Sequence, residues 1–168
     1  MGQSVPPPLV AAAMKKVALV WLAPLGGPAV AAWLLWQDGS AYVVGGPGEQ
    51  PLTGIAPGRP ALVTVASPDT HNRLLTWVAD VQQVDPGSQE WGRIVPQLLA
   101  KRLSAAADAT ARWAGSGRVL RLSPTGELTE VDETLPTTDL AAPPVPTPAT
   151  TAYRMPRRRH RSPRQSPQ

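Results

Sequence analysis

Residues 17–36 contain no charged side chain, and this stretch constrains the fold more than any other part of the sequence. An apolar run of this length could cross a bilayer as a helix. The segment Pro24-Leu25-Gly26-Gly27-Pro28 at its centre argues against that reading, because two prolines and two glycines would break a helix where lipid offers no replacement hydrogen bonds. The same five residues favour a turn between two strands. We therefore expect a β-hairpin, and a membrane-anchoring helix at 17–36 is the less favoured alternative.

Turn signals divide the following residues into short strands. A short helix over 9–16 precedes the hairpin, since alanine and methionine are good helix formers. Asp38-Gly39 is typical of a two-residue hairpin turn, and residues 49–55 could form one helical turn. Apolar and small residues alternate over 61–66, as in a strand with one buried face. The strands predicted after the central turn are 29–37, 40–44, 61–66, 74–84 and 117–122.

A helix should follow the long strand. Ser88 is the expected N-cap, and Trp91 begins an apolar face at helical spacing. Pro96 should kink or split this helix, and residues 105–114 either extend it or form a second helix. The order of elements predicts an α+β protein. Its core is a small antiparallel split β-barrel of about six strands, with one or two helices before the last strand.

The C-terminal part of the chain has a different composition. Residues 136–168 hold eight of the 21 prolines and few large apolar residues, so they cannot bury enough surface to offset their ordering entropy. Six arginines lie within 154–168. We expect a flexible N-terminus at 1–8, a barrel domain at 9–130 and a disordered, acidic and then Pro/Arg-rich tail at 131–168. The tail could contact nucleic acid or acidic protein weakly, through its charge.

The absence of cysteine excludes several kinds of site. The chain has no cysteine and two histidines, which rules out disulfides, thiolate zinc sites, cysteine nucleophiles and a multi-histidine metal site. We expect no bound metal. A chain without cysteine fits a reducing compartment, and we expect a cytoplasmic location. The sequence identifies no catalytic residue.

Three stretches together resemble the split β-barrel of the pyridoxamine-5′-phosphate-oxidase-like flavoproteins. The first is Val20–Ala23 followed by Ala29–Val44, with Asp38-Gly39 between its strands. The second is Ala61–Val84, a strand, a loop and a long strand. The third is the helix Trp91–Leu103 before the closing strand. The resemblance covers roughly residues 9–126 and is a match in the order of elements.

The resemblance implies a homodimer that binds flavin mononucleotide or a deazaflavin coenzyme in clefts between two barrels. It implies an oxidoreductase of unknown substrate, in which the cofactor supplies the chemistry and the protein supplies binding and orientation. A degenerate, non-enzymatic split-barrel binding protein is the alternative. Members of the family usually carry a basic residue after the third strand, whereas residues 45–54 of this chain contain Glu49 and no base.

The resemblance and the polar loops together suggest six cofactor-binding candidates. Gln50 and Thr53 could bond a ring or a ribityl chain, or could instead begin a short helix. Arg73 could bind the phosphate, because an arginine fork suits phosphate oxygens. Trp77 could stack on an isoalloxazine ring, although packing in a core or an interface is the commoner use of tryptophan. The full set of candidates is Gln50, Thr53, Thr64, Ser67, Arg73 and Trp77.

Overall fold

The computed structural model describes residues 7–66, 73–102 and 106–129. Within these ranges the chain forms an antiparallel β-barrel with helices, which confirms the expected α+β class. Predictions for residues 1–6, for Ser67 and for the tail from 130 onward fall outside the described residues. The elements are α1 Pro8–Met14, β1 Leu19–Pro24, β2 Val30–Trp33, β3 Leu35–Gln37, β4 Ser40–Gly45, β5 Ala61–Ala66, β6 Arg73–Gln83, α2 Gln89–Lys101, α3 Ala109–Gly115 and β7 Arg118–Thr129.

The charge-free stretch forms the expected hairpin. Strands β1 and β2 pair antiparallel, with Leu19 opposite Trp33 and Leu22 opposite Val30. The turn between them is held by the Gly27 N–H, which donates to the Pro24 carbonyl oxygen at 3.1 Å. None of the helices in the described ranges is long and apolar enough to span a membrane.

The predicted strand at 29–37 is two strands, which raises the count from about six to seven. The sheet order is β2-β1-β5-β6-β7-β4-β3, so its two edge strands are consecutive in the chain and meet at Leu34. The Leu34 N–H donates to the Ala18 carbonyl oxygen at 3.1 Å, and Leu34 belongs to neither of the two strands. The barrel is therefore nearly closed, and its split lies at this residue.

The turn at Asp38-Gly39 has the conformation that its sequence predicts. Asp38 has φ of 50° and Gly39 has φ of 75°. Two consecutive residues with positive φ form the type I′ turn, which matches the twist of the flanking strands. The turn joins β3 to β4 with Gln37 opposite Ser40.

Two hydrophobic cores lie on opposite sides of the sheet. The inner core fills the barrel, and α1 closes it with Val10 and Met14. The outer core lies beneath α2 and α3 and includes Trp91 and Trp113. Strand β4 is buried along its whole length because it contributes alternate residues to both cores.

Helix α2 begins as expected and continues past its proline. The Ser88 hydroxyl accepts the Trp91 N–H at 3.1 Å. Of the two effects predicted for Pro96, the split does not occur, since α2 runs unbroken over Gln89–Lys101. Proline has no N–H to donate to the Gly92 carbonyl, four residues earlier in the helix. Both residues lie on the exposed face, where water can bond this carbonyl instead. A separate helix, α3, follows.

Strand β7 is longer than the sequence indicates. The sequence predicts a last strand at 117–122, but the pairing of β7 with β6 continues to Thr129. Ala79 lies opposite Pro124 and Trp77 lies opposite Leu128, so β7 carries two extra residues there. The proline and glycine therefore form a bulge inside the ladder.

Candidate functional site

A pocket of about 600 Å³ opens where the loop after β4 meets the end of α2. Its volume is within the range of small-molecule and cofactor sites. The loop contributes Gly48, Glu49 and Gln50, and the helix end contributes Lys101 and Arg102. The remaining lining residues are Ala18, Trp33 and Leu34.

Glu49 is a buried carboxylate in the wall of this pocket. Its side chain is 1% exposed. The Oε1 atom forms an ion pair with Arg102 and a longer one with Arg112 at 3.4 Å. It also accepts the Trp113 Nε1–H at 2.8 Å. One carboxylate oxygen thus ties the loop to both α2 and α3.

The second oxygen of Glu49 has no such support. Oε2 is buried and makes no hydrogen bond with any described residue. A buried polar atom left without a partner costs free energy, more so when the group is charged. The Oε2 atom is therefore an unpaired acceptor inside the protein, and it presents almost no surface to the pocket.

Positive charge outweighs negative charge around the pocket. Arg102 and Arg112 contribute two positive charges, which the carboxylates of Glu49 and Asp108 balance through ion pairs. Lys101 adds another at the exposed end of the lining and makes no ion pair with a described residue. Arg102 also donates to the Gly48 carbonyl oxygen at 3.2 Å. The pocket can therefore hold an anionic group at its rim despite the carboxylate within.

The remaining wall of the pocket is apolar. The Trp33 ring is half-buried and packs against the outer core. Leu34 is buried and belongs to the inner core. An indole that is held on one side by packing and open on the other can stack on a planar ligand.

The structure corrects the interpretation of the loop at 45–54. Residues 49–55 do not form a helical turn; they form hydrogen-bonded turns, in which the Ile55 N–H bonds the Leu52 carbonyl at 3.2 Å. The loop has no basic residue of its own, and Arg102 and Arg112 from other parts of the chain bring positive charge to it. These lie 53 and 63 residues beyond Glu49, so no local motif signals them.

Gln50, a predicted ligand of the cofactor, lines the pocket but uses its amide on the backbone. Its Oε1 accepts the Trp33 N–H at 2.6 Å. Its Nε2 lies 3.1 Å from the Trp33 carbonyl oxygen and 3.2 Å from the Val44 carbonyl oxygen. Thr53 is exposed in a turn and does not line the pocket.

The other candidates lie away from the pocket or outside the described side chains. Thr64 is on the outer face of β5, and its hydroxyl lies 2.8 Å from that of Thr76 on β6. Trp77 is completely buried inside the barrel. Its ring meets Trp36 edge-on with centroids 6.3 Å apart, so it packs in the core and offers no open face. Arg73 is the first residue of β6, and its side chain lies outside the described part of the structure.

A second polar cluster lies beneath α2, apart from the pocket. The Tyr42 hydroxyl donates to Glu90 Oε1 at 2.8 Å, and Arg121 forms an ion pair with the same carboxylate at 3.0 Å. Burial raises the pKa of Tyr42 well above its usual value, and the hydrogen bond and negative charge of Glu90 raise the pKa further. This cluster joins α2 to the sheet. The described residues contain no group of three acidic or histidine side chains able to hold a metal.

Comparison with solved structures identifies the architecture. HutZ, the heme storage protein from Vibrio cholerae, matches with a TM-score of 0.53 over 77% of this chain and 94% of its own, at 14% identity. An F420 reductase matches with a TM-score of 0.46 over 68% of this chain and 91% of its own, at 17% identity. An FAD and heme binding protein from Mycobacterium smegmatis matches with a TM-score of 0.45 over 91% and 92%, at 16% identity.

Sequence comparison adds nothing to this finding. No model of a protein family matches the chain, and no protein among the curated sequences matches it. At 14% identity the likeness to HutZ concerns the fold alone. The chain has the split β-barrel fold that the resemblance to the pyridoxamine-5′-phosphate-oxidase-like proteins implies.

Proposed function

We propose that this protein binds a flavin-type cofactor, flavin mononucleotide or a deazaflavin coenzyme, in the pocket beside Glu49. The observation that carries the proposal is the division of the pocket into an aromatic wall and a cationic rim. Trp33 supplies the wall and Lys101 the rim, with Arg102 beside them. A flavin nucleotide has the same division, since a planar ring system is joined through a flexible chain to a phosphate.

The residues of the pocket fit such a cofactor in two respects. The cavity has a suitable size. A phosphate with a charge of about −1.5 to −2 would find Lys101 without a competing ion pair among the described residues.

The proposed activity is that of an oxidoreductase of unknown substrate. The bound cofactor would supply hydride or electron transfer, and the protein would bind it and orient its ring. Trp33 would cover one ring face, and Lys101 would hold the phosphate at the surface. A non-enzymatic binding role is the alternative, and loss of cofactor binding would favour it.

We further propose that two copies pair through the outer face of the sheet around β1. Leu19 and Trp21 on this face are 51% and 43% exposed. Trp21 lies opposite Thr64, which continues the face onto β5. A dimer would bury these apolar side chains. Size measurement by light scattering should give a dimer for the natural chain and a monomer for Trp21→Lys; a natural chain that runs as a monomer would contradict this proposal.

The first test is the absorption spectrum of protein purified without detergent. It is recorded before and after addition of flavin mononucleotide, a deazaflavin coenzyme or haemin, followed by gel filtration. Haemin is included because the similar HutZ is a heme storage protein. A flavin or deazaflavin band that stays with the protein supports the proposal. Protein that retains only haemin, or none of the three ligands, overturns it.

A charge variant then tests the pocket. Lys101→Ala should weaken binding of flavin mononucleotide about twofold to fivefold, the usual effect of one exposed charge contact. It should leave riboflavin, which lacks the phosphate, nearly unaffected. Lys15→Ala is the matched control, because Lys15 is an exposed lysine at the end of α1 and does not line the pocket. Equal effects of the two variants would exclude Lys101 as the phosphate contact.

A further inference from the structure

We infer that Arg102 exchanges Glu49 for a phosphate group when the pocket is occupied, and that Arg112 then takes over Glu49. In the free protein the carboxylate of Glu49 holds Arg102. In the bound form a phosphate oxygen takes the place of that carboxylate, and Arg112 pairs with both oxygens of Glu49. The inference rests on the proposed function for the source of the phosphate, and it adds a second phosphate-binding residue to Lys101.

The hydrogen bonds of Glu49 are unevenly divided between its two oxygens. Oε1 forms an ion pair with Arg102, accepts the Trp113 Nε1–H at 2.8 Å and lies 3.4 Å from Arg112 Nη2. Oε2 is buried and has no partner among the described residues. Buried polar atoms are nearly always hydrogen-bonded, so the unpaired oxygen indicates a second arrangement of this cluster, in which Oε2 has a donor.

Arg112 carries the matching unpaired donor. Its Nε is buried and makes no hydrogen bond with a described residue. Nε and Nη2 lie on the same edge of the planar guanidinium, and such an edge can bind both oxygens of a carboxylate. Nη2 already faces Oε1 of Glu49, so a small rotation can bring Nε to Oε2. The bond from Trp113 to Oε1 can remain, and each of these buried atoms then has a partner.

Arg102 is the partner that can leave, because it is the arginine of the cluster that lines the pocket. Its side chain is 22% exposed. Its Nη2 donates to the Gly48 carbonyl oxygen at 3.2 Å, and this contact can hold the guanidinium at the pocket while Nη1 changes partners. In the absence of an anion, Arg102 would gain no charged partner by leaving Glu49, so the ion pair persists in the free protein.

The exchange selects an anionic oxygen ligand. An arginine forms charge-assisted hydrogen bonds with carboxylate and phosphate oxygens alike, so a phosphate can replace Glu49 on Arg102. Lys101 at the exposed rim of the pocket adds a second cation for the same group. A neutral ligand offers no charge to replace the carboxylate. Flavin mononucleotide and inorganic phosphate should therefore cause the exchange, whereas riboflavin should not.

Arg112→Lys tests the exchange, because it keeps the charge of residue 112 and removes the fork. Lysine cannot pair with both oxygens of Glu49, so Arg102 stays on the carboxylate. Flavin mononucleotide should then bind about tenfold more weakly, as expected for loss of one contact between charged groups. Riboflavin should bind as before. Arg93→Lys is the matched control and should change neither affinity, since Arg93 pairs with Asp38 and neither residue lines the pocket.

The same substitution in a chain that also carries Glu49→Gln separates the exchange from a structural role of Arg112. A neutral glutamine does not hold Arg102 by charge, so Arg102 is available without the help of Arg112. Arg112→Lys should therefore have no further effect on the binding of flavin mononucleotide in this chain. Equal weakening with Glu and with Gln at position 49, or weaker binding of riboflavin, would contradict the exchange.

Nuclear magnetic resonance can follow the exchange in the natural protein. The Nε–H proton signal of Arg112 should move downfield when inorganic phosphate is added, because this group gains a hydrogen bond to a carboxylate. Sodium chloride at the same ionic strength should leave the signal in place. A signal that neither phosphate nor flavin mononucleotide moves overturns the inference. This measurement decides alone if the variants do not fold.

The outcomes separate this inference from the cofactor proposal. If flavin mononucleotide and riboflavin bind but Arg112→Lys changes neither affinity, the exchange is wrong while the cofactor proposal stands. If phosphate moves the Arg112 signal but no flavin binds, the exchange stands and the cofactor proposal is wrong. Weaker binding of flavin mononucleotide alone, and only when residue 49 is Glu, supports both.

Discussion

Gln50 hydrogen-bonds both backbone polar groups of Trp33. Its Oε1 accepts the Trp33 N–H at 2.6 Å, and its Nε2 donates to the Trp33 carbonyl oxygen at 3.1 Å. Trp33 is the last residue of β2, where the chain leaves the sheet before β3 begins. The glutamine amide therefore takes the place of a neighbouring strand at the split of the barrel.

Gln50→Ala should lower the free energy of unfolding by about 2–4 kcal/mol, because it leaves partly buried backbone groups of Trp33 unpaired. Urea denaturation monitored by tryptophan fluorescence measures the change. Gln97→Ala is the matched control, since the Gln97 amide makes one exposed bond to the Arg93 carbonyl at 3.0 Å. The control should change stability by less than about 0.5 kcal/mol. Equal changes in the two variants would show that Gln50 has no special role.

Arg102→Met should destabilise the protein by about 3 kcal/mol, because it removes the main partner of a carboxylate that is 1% exposed. Adding Glu49→Gln to the same chain should recover part of this loss, since no buried charge is then left uncompensated. A double-mutant cycle from chemical denaturation gives the coupling energy. The control is Arg93→Met, which breaks an exposed pair with Asp38 and should cost less than about 0.5 kcal/mol. Additive effects of the Arg102 and Glu49 changes would contradict this account.

The pH dependence of stability should report Tyr42. Burial, then the hydrogen bond and charge of Glu90, raises the pKa of Tyr42 in the folded protein above the value of about 10 in the unfolded chain. A raised pKa favours the protonated form on folding, so its contribution is complete below about pH 10 and is lost as pH rises from there toward the folded pKa. The free energy of unfolding should therefore fall above about pH 10, more steeply than in Tyr42→Phe.

The difference between the two proteins isolates this residue, because every other titrating group is common to both. The slope of the difference should not exceed about 1.4 kcal/mol per pH unit, the limit for one proton. Denaturant midpoints measured from pH 8 to 11 give the comparison. Parallel curves for the two proteins would show that Tyr42 ionises with an ordinary pKa.

Pro96→Ala should stabilise the protein by about 1–2 kcal/mol. It restores an N–H donor for the Gly92 carbonyl within α2 and replaces proline, the residue with the least favourable helix propensity, by alanine, the most favourable one. The gain is smaller than the propensity difference because proline also restricts the unfolded chain. Thermal unfolding followed by circular dichroism measures it, and Ala100→Gly on the same exposed face should shift stability the other way by about 1 kcal/mol. A loss of stability in Pro96→Ala would mean that the proline ring is needed.

Local signals in the sequence predict most of the barrel. The prolines and glycines at 24–28 predict the first hairpin, and Asp38-Gly39 predicts the turn between β3 and β4. The break at Leu34 is missed because it depends on Gln50 and Ala18, which bond the chain there from distant positions. The continuation of β7 past Gly126 is missed because a Pro-Thr-Gly segment fits a terminal turn and an internal bulge equally well.

The candidate site is less accessible to sequence reasoning. The family resemblance points to the loop at 45–54, but its acidic residue alone argues against an anionic ligand. The arginines that reverse this conclusion come from α2 and α3, and only the tertiary fold brings them to Glu49. One physical signal is available in the sequence. An acid between buried Val44 and Leu52 would need cationic partners if it were itself buried.

A crystal structure of the protein with flavin mononucleotide tests the central claim most directly, because it shows where the ring lies. The account predicts isoalloxazine density against Trp33, in the pocket beside Glu49, with the phosphate at Lys101. Ring density on the outer face of β5 beside Thr64, with no ligand in the pocket at Glu49, would contradict it.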